Sequence, residues 1–161
     1  MNTEAVITKL MAEHGDSILR LCALYLRDRV LAEDAAQETF LRAYRAIDRF
    51  RGDSSVKTWL TRIAINVCKD MSHKRSRQPL ILEKIPESIS DPAYGDDSVL
   101  NEVMLLPPKY RAVILLRYYQ QLDTKEIAKV LGVTRNAVSV RLNRAREMLR
   151  LRLETWYFDE L

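Results

Sequence analysis

Residues 123–142 constrain the fold of this chain more than any other stretch, because two helical periodicities meet there at a glycine. In the segment DTKEIAKVLGVTRNAVSVRL, Gly132 supplies a turn between two short amphipathic patterns. Asp123 or Thr124 is suited to cap the first helix, and Thr134 the second. This layout predicts a helix-turn-helix, whose inward-facing residues are Ile127, Ala128, Leu131 and Val138.

The second of these helices carries an unusual charge distribution. Residues 134–152 contain six arginines and one acid, Glu147. A helix that needed only solubility would alternate charges of both signs on its exposed face. We therefore expect an anionic partner against that face. The apolar stripe of this helix consists of Val138, Leu142, Ala145 and Leu149, which recur at steps of four, three and four.

Duplex DNA is the anionic partner that a helix-turn-helix predicts, with the early residues of its second helix in the major groove. Val140 is suited to a thymine methyl group, and Arg144 to a phosphate. Arg141 and Arg146 flank the apolar stripe, where packing or intramolecular pairing is an equally good interpretation. The predicted DNA-contacting residues are Arg135, Asn136, Ser139, Val140, Asn143 and Arg144.

The rest of the chain also predicts helices. Only four glycines and five prolines occur in 161 residues, so long helical patterns dominate and the fold class is all-α. In the first half, a break is expected at Gly15–Asp16 and a loop around Gly52. The expected inward-facing residues are Ile18, Leu21, Leu24 and Tyr25 in a first helix, Ala36, Phe40, Ala43, Tyr44 and Ile47 in a second, and Val56, Leu60, Ile63, Val67 and Met71 in a third.

Charge and proline content divide the chain into two halves. Helical periodicity fails between Gln78 and Asp97, where prolines, serines and acids concentrate. We therefore predict two small helical domains, residues 1–77 and 98–161, joined by an acidic flexible linker over 78–97. In the second domain, a short helix is expected to end at Pro107–Pro108, and an apolar helix to follow over 109–120.

The basic charge is also unevenly placed. Residues 56–77 hold six Lys and Arg against Asp70, so a second cationic surface accompanies the arginine-rich helix. Two such surfaces suggest two contacts with a polyanion, although either one alone is equally well explained as a solvated face.

Metal sites and membrane segments are not expected. Cys22 and Cys68 stand on apolar stretches without metal-ligand spacing to His14 or His73, so both are interpreted as buried free thiols. No cofactor is predicted. The N-terminus lacks the features of a signal peptide and no run is long enough to span a membrane, which predicts a cytoplasmic protein.

Several strings, taken in order, resemble the bacterial RNA polymerase sigma factors of the small, two-domain extracytoplasmic-function class. In the first half the resemblance depends on AEDAAQETFLRAYRAIDRFRGDSSVKTWLTRIAINVCKD, and in the second on LPPKYRAVILLRYYQQLDTKEIAKVLGV followed by VRLNRAREML. It covers nearly the whole chain. It implies a specificity subunit without a catalytic site, which binds core RNA polymerase and directs it to promoter DNA.

The resemblance also implies residue roles in the first domain. Asp34, Gln37 and Glu38 match the helix that contacts the polymerase, and Asp34 and Glu38 share one helical face. A solvated acidic face is the alternative interpretation. A third, carboxylate ligands of a two-metal bundle, would need Glu-x-x-His motifs that the chain lacks.

The loop FRGDSS matches the family's loop for a base flipped out of the minus-ten element. A glycine-containing loop brings backbone donors close to a base, and Asp53, Ser54 and Ser55 add polar partners. Ser54 or Ser55 also suits a helix cap. The helix that follows matches the promoter-opening helix, where an aromatic ring and cations suit single-stranded DNA, although Trp59 suits a core position equally well. The predicted minus-ten residues are Arg51, Gly52, Asp53, Ser54, Ser55, Lys57, Trp59, Arg62 and Asn66, with backbone attraction from Lys57, Lys69, Lys74, Arg75 and Arg77.

The recognition helix departs from the family's common pattern, since Asn136–Ala137 replaces Gly-Thr and Val140 stands where serine is frequent. The minus-thirty-five sequence therefore does not follow from these residues. The resemblance further implies a regulator, an anti-sigma factor. The main alternative is a stand-alone helix-turn-helix regulator with an N-terminal sensor or dimerisation domain. A nucleic-acid enzyme is disfavoured by the two scattered histidines and the lack of a phosphate-binding loop.

Overall fold

The computed structural model describes residues 2–76 and 97–159, with positions 75, 76, 97, 98 and 154–159 described by their backbone alone. The chain divides into two compact units, Met1–Ile89 and Ser90–Leu161. Every regular element in the described ranges is helical, which confirms the predicted all-α class. Residues 78–96 of the predicted linker, which was expected to span 78–97, lie outside the described residues, and its last residue, Asp97, already begins a helix.

Helix α1 of the first unit runs without interruption from Thr3 to Leu26. The break predicted at Gly15–Asp16 is therefore wrong. A glycine inside a helix costs about 1 kcal/mol relative to alanine. Burial of apolar residues on both sides of it, such as Leu10 and Ile18, outweighs that cost, since each contributes about 1.5–3 kcal/mol.

Helix α2 spans Arg29–Ala46 and is capped by Asp28, whose carboxylate accepts a hydrogen bond from the Leu31 N–H at 3.0 Å. The prediction that Tyr44 faces inward is wrong, because this residue is 44% exposed. Small residues permit close packing against α1 and make up much of the buried face. That face consists of Ala32, Ala35, Thr39, Phe40 and Ala43.

A short 3₁₀ turn, Ile47–Arg49, and an exposed loop lead to helix α3, Val56–Ser76. Two members of its predicted stripe, Leu60 and Val67, are fully buried, and the other three are partly buried. Cys22 and Cys68 are free thiols in this core, as predicted. A hydrogen bond with Cys22 and burial raise the pKa of the Cys68 thiol. The neutral thiol is therefore the favoured form.

Across residues 97–159, the second unit shows four α-helices and one wide turn. They are α4 Asp97–Met104, α5 Pro108–Ile114, the π-helical turn Leu115–Tyr119, α6 Thr124–Leu131 and α7 Arg135–Asp159. Helix α4 ends before the predicted Pro107–Pro108 boundary, and Pro108 instead begins α5. Proline is tolerated there because the N–H groups of a helix's first turn have no partner within the helix. The predicted helix over 109–120 exists, but its second half is π-helical.

The core of this unit is formed where α5, α6 and α7 meet. Val138 and Ala145 are fully buried and Leu142 is nearly so, which confirms most of the stripe predicted for α7. Farther along α7, Arg152 pairs with Glu102 of α4 at 3.3 Å between Nη1 and Oε2. The helix that carries the candidate DNA residues is therefore held along its length by the rest of the unit.

Candidate DNA and polymerase interfaces

The turn between α6 and α7 has the geometry of a helix-turn-helix. Asp123 caps α6 in a capping box: its Oδ1 accepts from the Glu126 N–H at 2.8 Å, and the Glu126 carboxylate accepts from the Asp123 N–H at 3.1 Å. Gly132 ends α6 with φ 68°, a left-handed conformation that favours glycine. The hydroxyl of Thr134 accepts from the Ala137 N–H at 3.0 Å and caps α7. Of the two residues offered as the α6 cap, Asp123 is the one that fills the role.

The six residues predicted to contact duplex DNA lie together on the outer face of α7. All six are exposed, whereas Val138, Leu142 and Ala145 on the inner face are buried. Six exposed side chains on one helical face, two of them guanidinium groups, offer hydrogen-bond donors and acceptors to a groove. They are Arg135, Asn136, Ser139, Val140, Asn143 and Arg144.

Arg144 is tied to α5 at the edge of this face. Its guanidinium hydrogen-bonds the Tyr110 hydroxyl and thereby lowers the pKa of that tyrosine, and the nearby Lys109 acts in the same direction. The Lys109 ammonium also lies 5.0 Å from the centre of the Tyr110 ring. This cluster brings two cations together beside the candidate DNA face, a contribution of α5 that the sequence analysis did not predict.

Arg146 makes intramolecular contacts, as in the interpretation of packing or intramolecular pairing given for it from the sequence. Its Nε donates to the Tyr118 hydroxyl at 2.8 Å, and its guanidinium lies over the Tyr118 ring. Its Nη1 donates to Oδ1 of Asn143 at 3.4 Å. Tyr118 was missed by sequence analysis, because nothing in the periodicity of α5 predicts a π-helical turn. Arg141 is partly buried.

The loop that precedes α3 combines polar side chains with a left-handed glycine. Gly52 has φ 76°, and the loop side chains at Arg51, Asp53 and Ser55 are exposed, with Ser54 partly so. Ser55 is the helix cap of the two candidates, since its hydroxyl accepts from the Thr58 N–H at 3.1 Å. The loop therefore ends in a fixed cap and exposes its preceding residues to solvent.

Trp59, Arg62 and Asn66 share one face of α3, as their spacing predicts. Arg62 and Asn66 are exposed, and Trp59 is partly exposed. The Trp59 ring packs against Phe50, with 4.9 Å between ring centres and the ring planes tilted by 38°, and this contact joins the face to the loop. Of the predicted backbone-attracting cations, Lys57 and Lys69 are partly buried and Lys74 is exposed, whereas the Arg75 side chain and Arg77 lie outside the described residues.

A groove between α2 and α3 brings together the three residues predicted to contact the polymerase. Asp34, Gln37 and Glu38 line it along with residues of α3, and its volume is about 460 Å³. Arg42 crosses it, with Nε 3.1 Å from Glu38 Oε1 and Nη2 3.3 Å from Asp70 Oδ2. The remaining lining residues are Leu41, Val67, Met71 and Lys74, of which Leu41 is 50% exposed and was not predicted as part of the surface.

Across residues 2–76 and 97–159, no group of three or more His, Cys, Asp or Glu side chains is placed to hold a metal ion. Within the same ranges, no helix has the length and hydropathy needed to cross a membrane.

Comparison with known families identifies the two units. Residues 10–78 match sigma-70 region 2, and residues 97–149 match sigma-70 region 4. The chain is 33% identical to the ECF RNA polymerase sigma factor SigW of Bacillus subtilis, over 87% of this chain and 84% of that one. It is 34% identical to the RNA polymerase sigma-H factor of Pseudomonas aeruginosa, over 87% of this chain and 82% of that one.

Solved structures share the fold. CnrH, determined in complex with the cytosolic domain of CnrY, is 25% identical, with a TM-score of 0.73 over 94% of this chain and 90% of that one. The sigma factor RpoE of Bartonella quintana, determined with the anti-sigma factor NepR, is 19% identical, with a TM-score of 0.74 over 91% of this chain and 96% of that one.

These matches define the class of protein as a sigma factor of RNA polymerase, built from regions 2 and 4. Within that class, the chain belongs to the extracytoplasmic-function sigma factors. The resemblance stated from sequence is confirmed. As a sigma factor, the protein associates with RNA polymerase and directs transcription from promoters.

Proposed function

We propose that this sigma factor recognises two promoter elements with separate units and helps open the DNA at one of them. The outer face of α7 would bind the minus-thirty-five element as a duplex. The loop at residues 51–55 and the exposed face of α3 would capture an unpaired base of the minus-ten element and stabilise the opened strand. This division assigns the recognition units to residues 1–77 and 98–161.

One observation carries the proposal: polar and cationic side chains cover the outer face of α7, while its inner face is buried in the unit. That segregation leaves the candidate DNA side chains exposed to solvent on one face of the helix. In the other unit, an exposed polar loop lies next to a contacting pair of aromatic rings, Phe50 and Trp59. Aromatic rings and cations together suit single-stranded DNA.

The α2–α3 groove is the proposed docking surface for core polymerase. It presents carboxylates at Asp34 and Glu38 next to the exposed apolar side chain of Leu41, a combination of charge and apolar area that suits a protein partner. We further propose that the protein acts in the cytoplasm, and that an anti-sigma factor regulates it by covering these surfaces. The solved complex of CnrH with the cytosolic domain of CnrY supports this proposal only in that a chain of the same fold binds a protein partner.

Reconstitution tests the proposed function. The tagged protein is purified with bacterial core RNA polymerase, and run-off transcription is measured on genomic promoter fragments. Specific initiation that requires both promoter elements is expected. Tight binding to a duplex operator by the protein alone, without association with the polymerase, would instead favour a stand-alone regulator.

Charge reversal in the groove tests the docking surface. Changing both Asp34→Lys and Glu38→Lys should weaken association with core polymerase by more than about tenfold. The matched control reverses Glu13 and Glu33, two exposed carboxylates paired with Lys9 and Arg29 outside the groove. Equal loss of affinity in both double variants would show that net charge, and not the groove, determines association.

A further inference from the structure

Three exposed side chains of the second unit, Tyr118, Arg146 and Asn143, form a connected chain of hydrogen bonds. Arg146 lies in the middle: its Nε donates to the Tyr118 hydroxyl at 2.8 Å, and its Nη1 donates to Asn143 Oδ1 at 3.4 Å. The guanidinium carbon is 5.8 Å from the centre of the Tyr118 ring, within reach of a cation–π contact. Two contacts with one tyrosine hold the orientation of the arginine.

The position of Tyr118 depends on the π-helical turn. In Leu115–Tyr119 the Gln120 N–H donates to the Leu115 carbonyl, five residues back, at 3.0 Å. Leu115 and Leu116 point into the core, whereas Tyr118 is 50% exposed. Turns of this kind are rare and often accompany functional sites. Here the turn supplies the hydroxyl that Arg146 uses.

The chemistry of arginine determines which way the Asn143 carboxamide faces. A guanidinium has only N–H donors, so the group that meets it must be the carboxamide oxygen. The amino group of Asn143 then points away from Arg146, with two N–H donors on the exposed face of α7. An unpaired asparagine would present oxygen or nitrogen with equal ease.

We propose that Tyr118 and Arg146 are positioning residues, which orient Asn143 so that its amino group donates a hydrogen bond to an acceptor on the upstream promoter DNA. This inference rests on the proposed binding of the minus-thirty-five element by α7. The acceptor is either a base edge, such as guanine O6 or N7, or a phosphate oxygen. Neither Tyr118 nor Arg146 needs to touch DNA for this role.

The test uses holoenzyme reconstituted from the full chain and core polymerase. The probe is a promoter duplex library in which the upstream element is randomised, and bound sequences are counted after selection. The variants are Asn143→Ala, Tyr118→Phe, Arg146→Lys, and each of the last two combined with Asn143→Ala. Phenylalanine keeps the ring without the hydroxyl, and lysine keeps the charge without the planar fork.

Tyr118→Phe and Arg146→Lys should each reduce binding of the selected element on the order of fivefold, the worth of one ordinary hydrogen bond. Neither should cause further loss when Asn143 is already alanine, because all three changes remove the same contact. If the acceptor is a base, the single variants lose preference at one shared position. If it is a phosphate, binding weakens equally across sequences, and the loss again disappears in the Asn143→Ala background.

Arg150→Lys is the matched control. Arg150 lies on the same helix and pairs with Glu147, at 2.5 Å between Nη2 and Oε1. Its substitution should leave base preference unchanged, and the circular dichroism of all variants should match that of the parent protein.

Three results would overturn the inference. Single variants that bind as well as the parent protein would exclude positioning, and an Arg146→Lys effect that persists with Asn143→Ala would mean that Arg146 contacts DNA itself. Both leave the proposed function intact, since the parent holoenzyme still selects an upstream element. A parent holoenzyme that selects no element would reject the proposed function and this inference together.

Discussion

The chain enters its two candidate DNA helices, α3 and α7, in similar ways. Each is preceded by a glycine with a left-handed backbone, Gly52 at φ 76° and Gly132 at φ 68°. Each begins with a hydroxyl cap that accepts from the N–H three residues later, at 3.1 Å for Ser55 and 3.0 Å for Thr134. The same local chemistry thus starts both helices.

The two glycines differ in the structure that surrounds them. Gly132 closes α6, and both its N–H and that of Val133 donate to the Ala128 carbonyl, at 2.9 and 3.2 Å. Gly52 instead stands in an exposed polar loop. A joint fixed by hydrogen bonds holds side chains in register for a duplex of regular shape, whereas an exposed loop suits a base that has left the stack.

The largest expected effect tests the single-stranded side of this comparison. Trp59→Ala should slow promoter opening by up to about 100-fold, because stacking of a base on an aromatic ring is worth about 1–3 kcal/mol. Opening is measured by the fluorescence of 2-aminopurine placed in the minus-ten element. Trp59→Phe keeps a ring and should retain most of the activity. Opening by Trp59→Ala at the parent rate would remove this residue from the proposed interface.

On the duplex side, substitutions on α7 should separate sequence recognition from general attraction. Asn136→Ala or Ser139→Ala should change the preferred upstream base, with a loss of about 1–2 kcal/mol at the affected position. Arg144→Ala should weaken binding about equally across sequences and reduce its salt dependence. Selection from a randomised library at two salt concentrations measures both. An unchanged base profile in the Asn136 and Ser139 variants would contradict the groove assignment.

The two glycines should respond differently to the same change. An added Cβ meets no atom within 4 Å at either position, so backbone strain is the whole effect. Gly132→Ala should cost about 1 kcal/mol in the free energy of unfolding, since relaxing the turn would break its hydrogen bonds. Gly52→Ala should cost less, because its loop can change shape, yet it should still slow promoter opening. Urea unfolding monitored by circular dichroism measures the first quantity; equal losses in the two variants would contradict the distinction between a fixed joint and an open loop.

The smallest effect concerns the cap of α6. Hydrogen bonding from the Glu126 N–H is the main cause that lowers the pKa of Asp123, aided by the Glu126 side chain and by Lys125. A lowered pKa in the folded state means that the stabilisation is present above the ordinary aspartate pKa of about 3.9 and is lost as the pH falls through the folded value. The free energy of unfolding of the parent relative to Asp123→Asn should therefore decline as the pH falls below about 5. A pH-independent difference between the two proteins would show that the carboxylate charge adds nothing to the cap.

Sequence analysis predicted best where local chemistry determines structure. The caps at Asp123 and Thr134, the turn at Gly132 and the buried stripe of α7 depend on residues a few positions apart. The expectation of a helix break at Gly15 was wrong because tertiary burial outweighed a local preference. The inward assignment of Tyr44 was wrong because close helix packing selects alanines over a larger ring. Contacts across long separations, such as Arg146 with Tyr118, depend on the π-helical turn, which no local pattern in α5 indicates.

The length of α7 gives the second unit a mechanical property. Its 25 residues form one uninterrupted helix, about 37 Å long, and only its first half carries the candidate DNA side chains. A rod of this length acts as a lever. A tilt of roughly 10° about its midpoint moves the DNA end by roughly 3 Å, close to the spacing between stacked base pairs. The ion pair of Arg152 with Glu102, at the far half of the rod, therefore helps to set the alignment of side chains that lie more than two helical turns away.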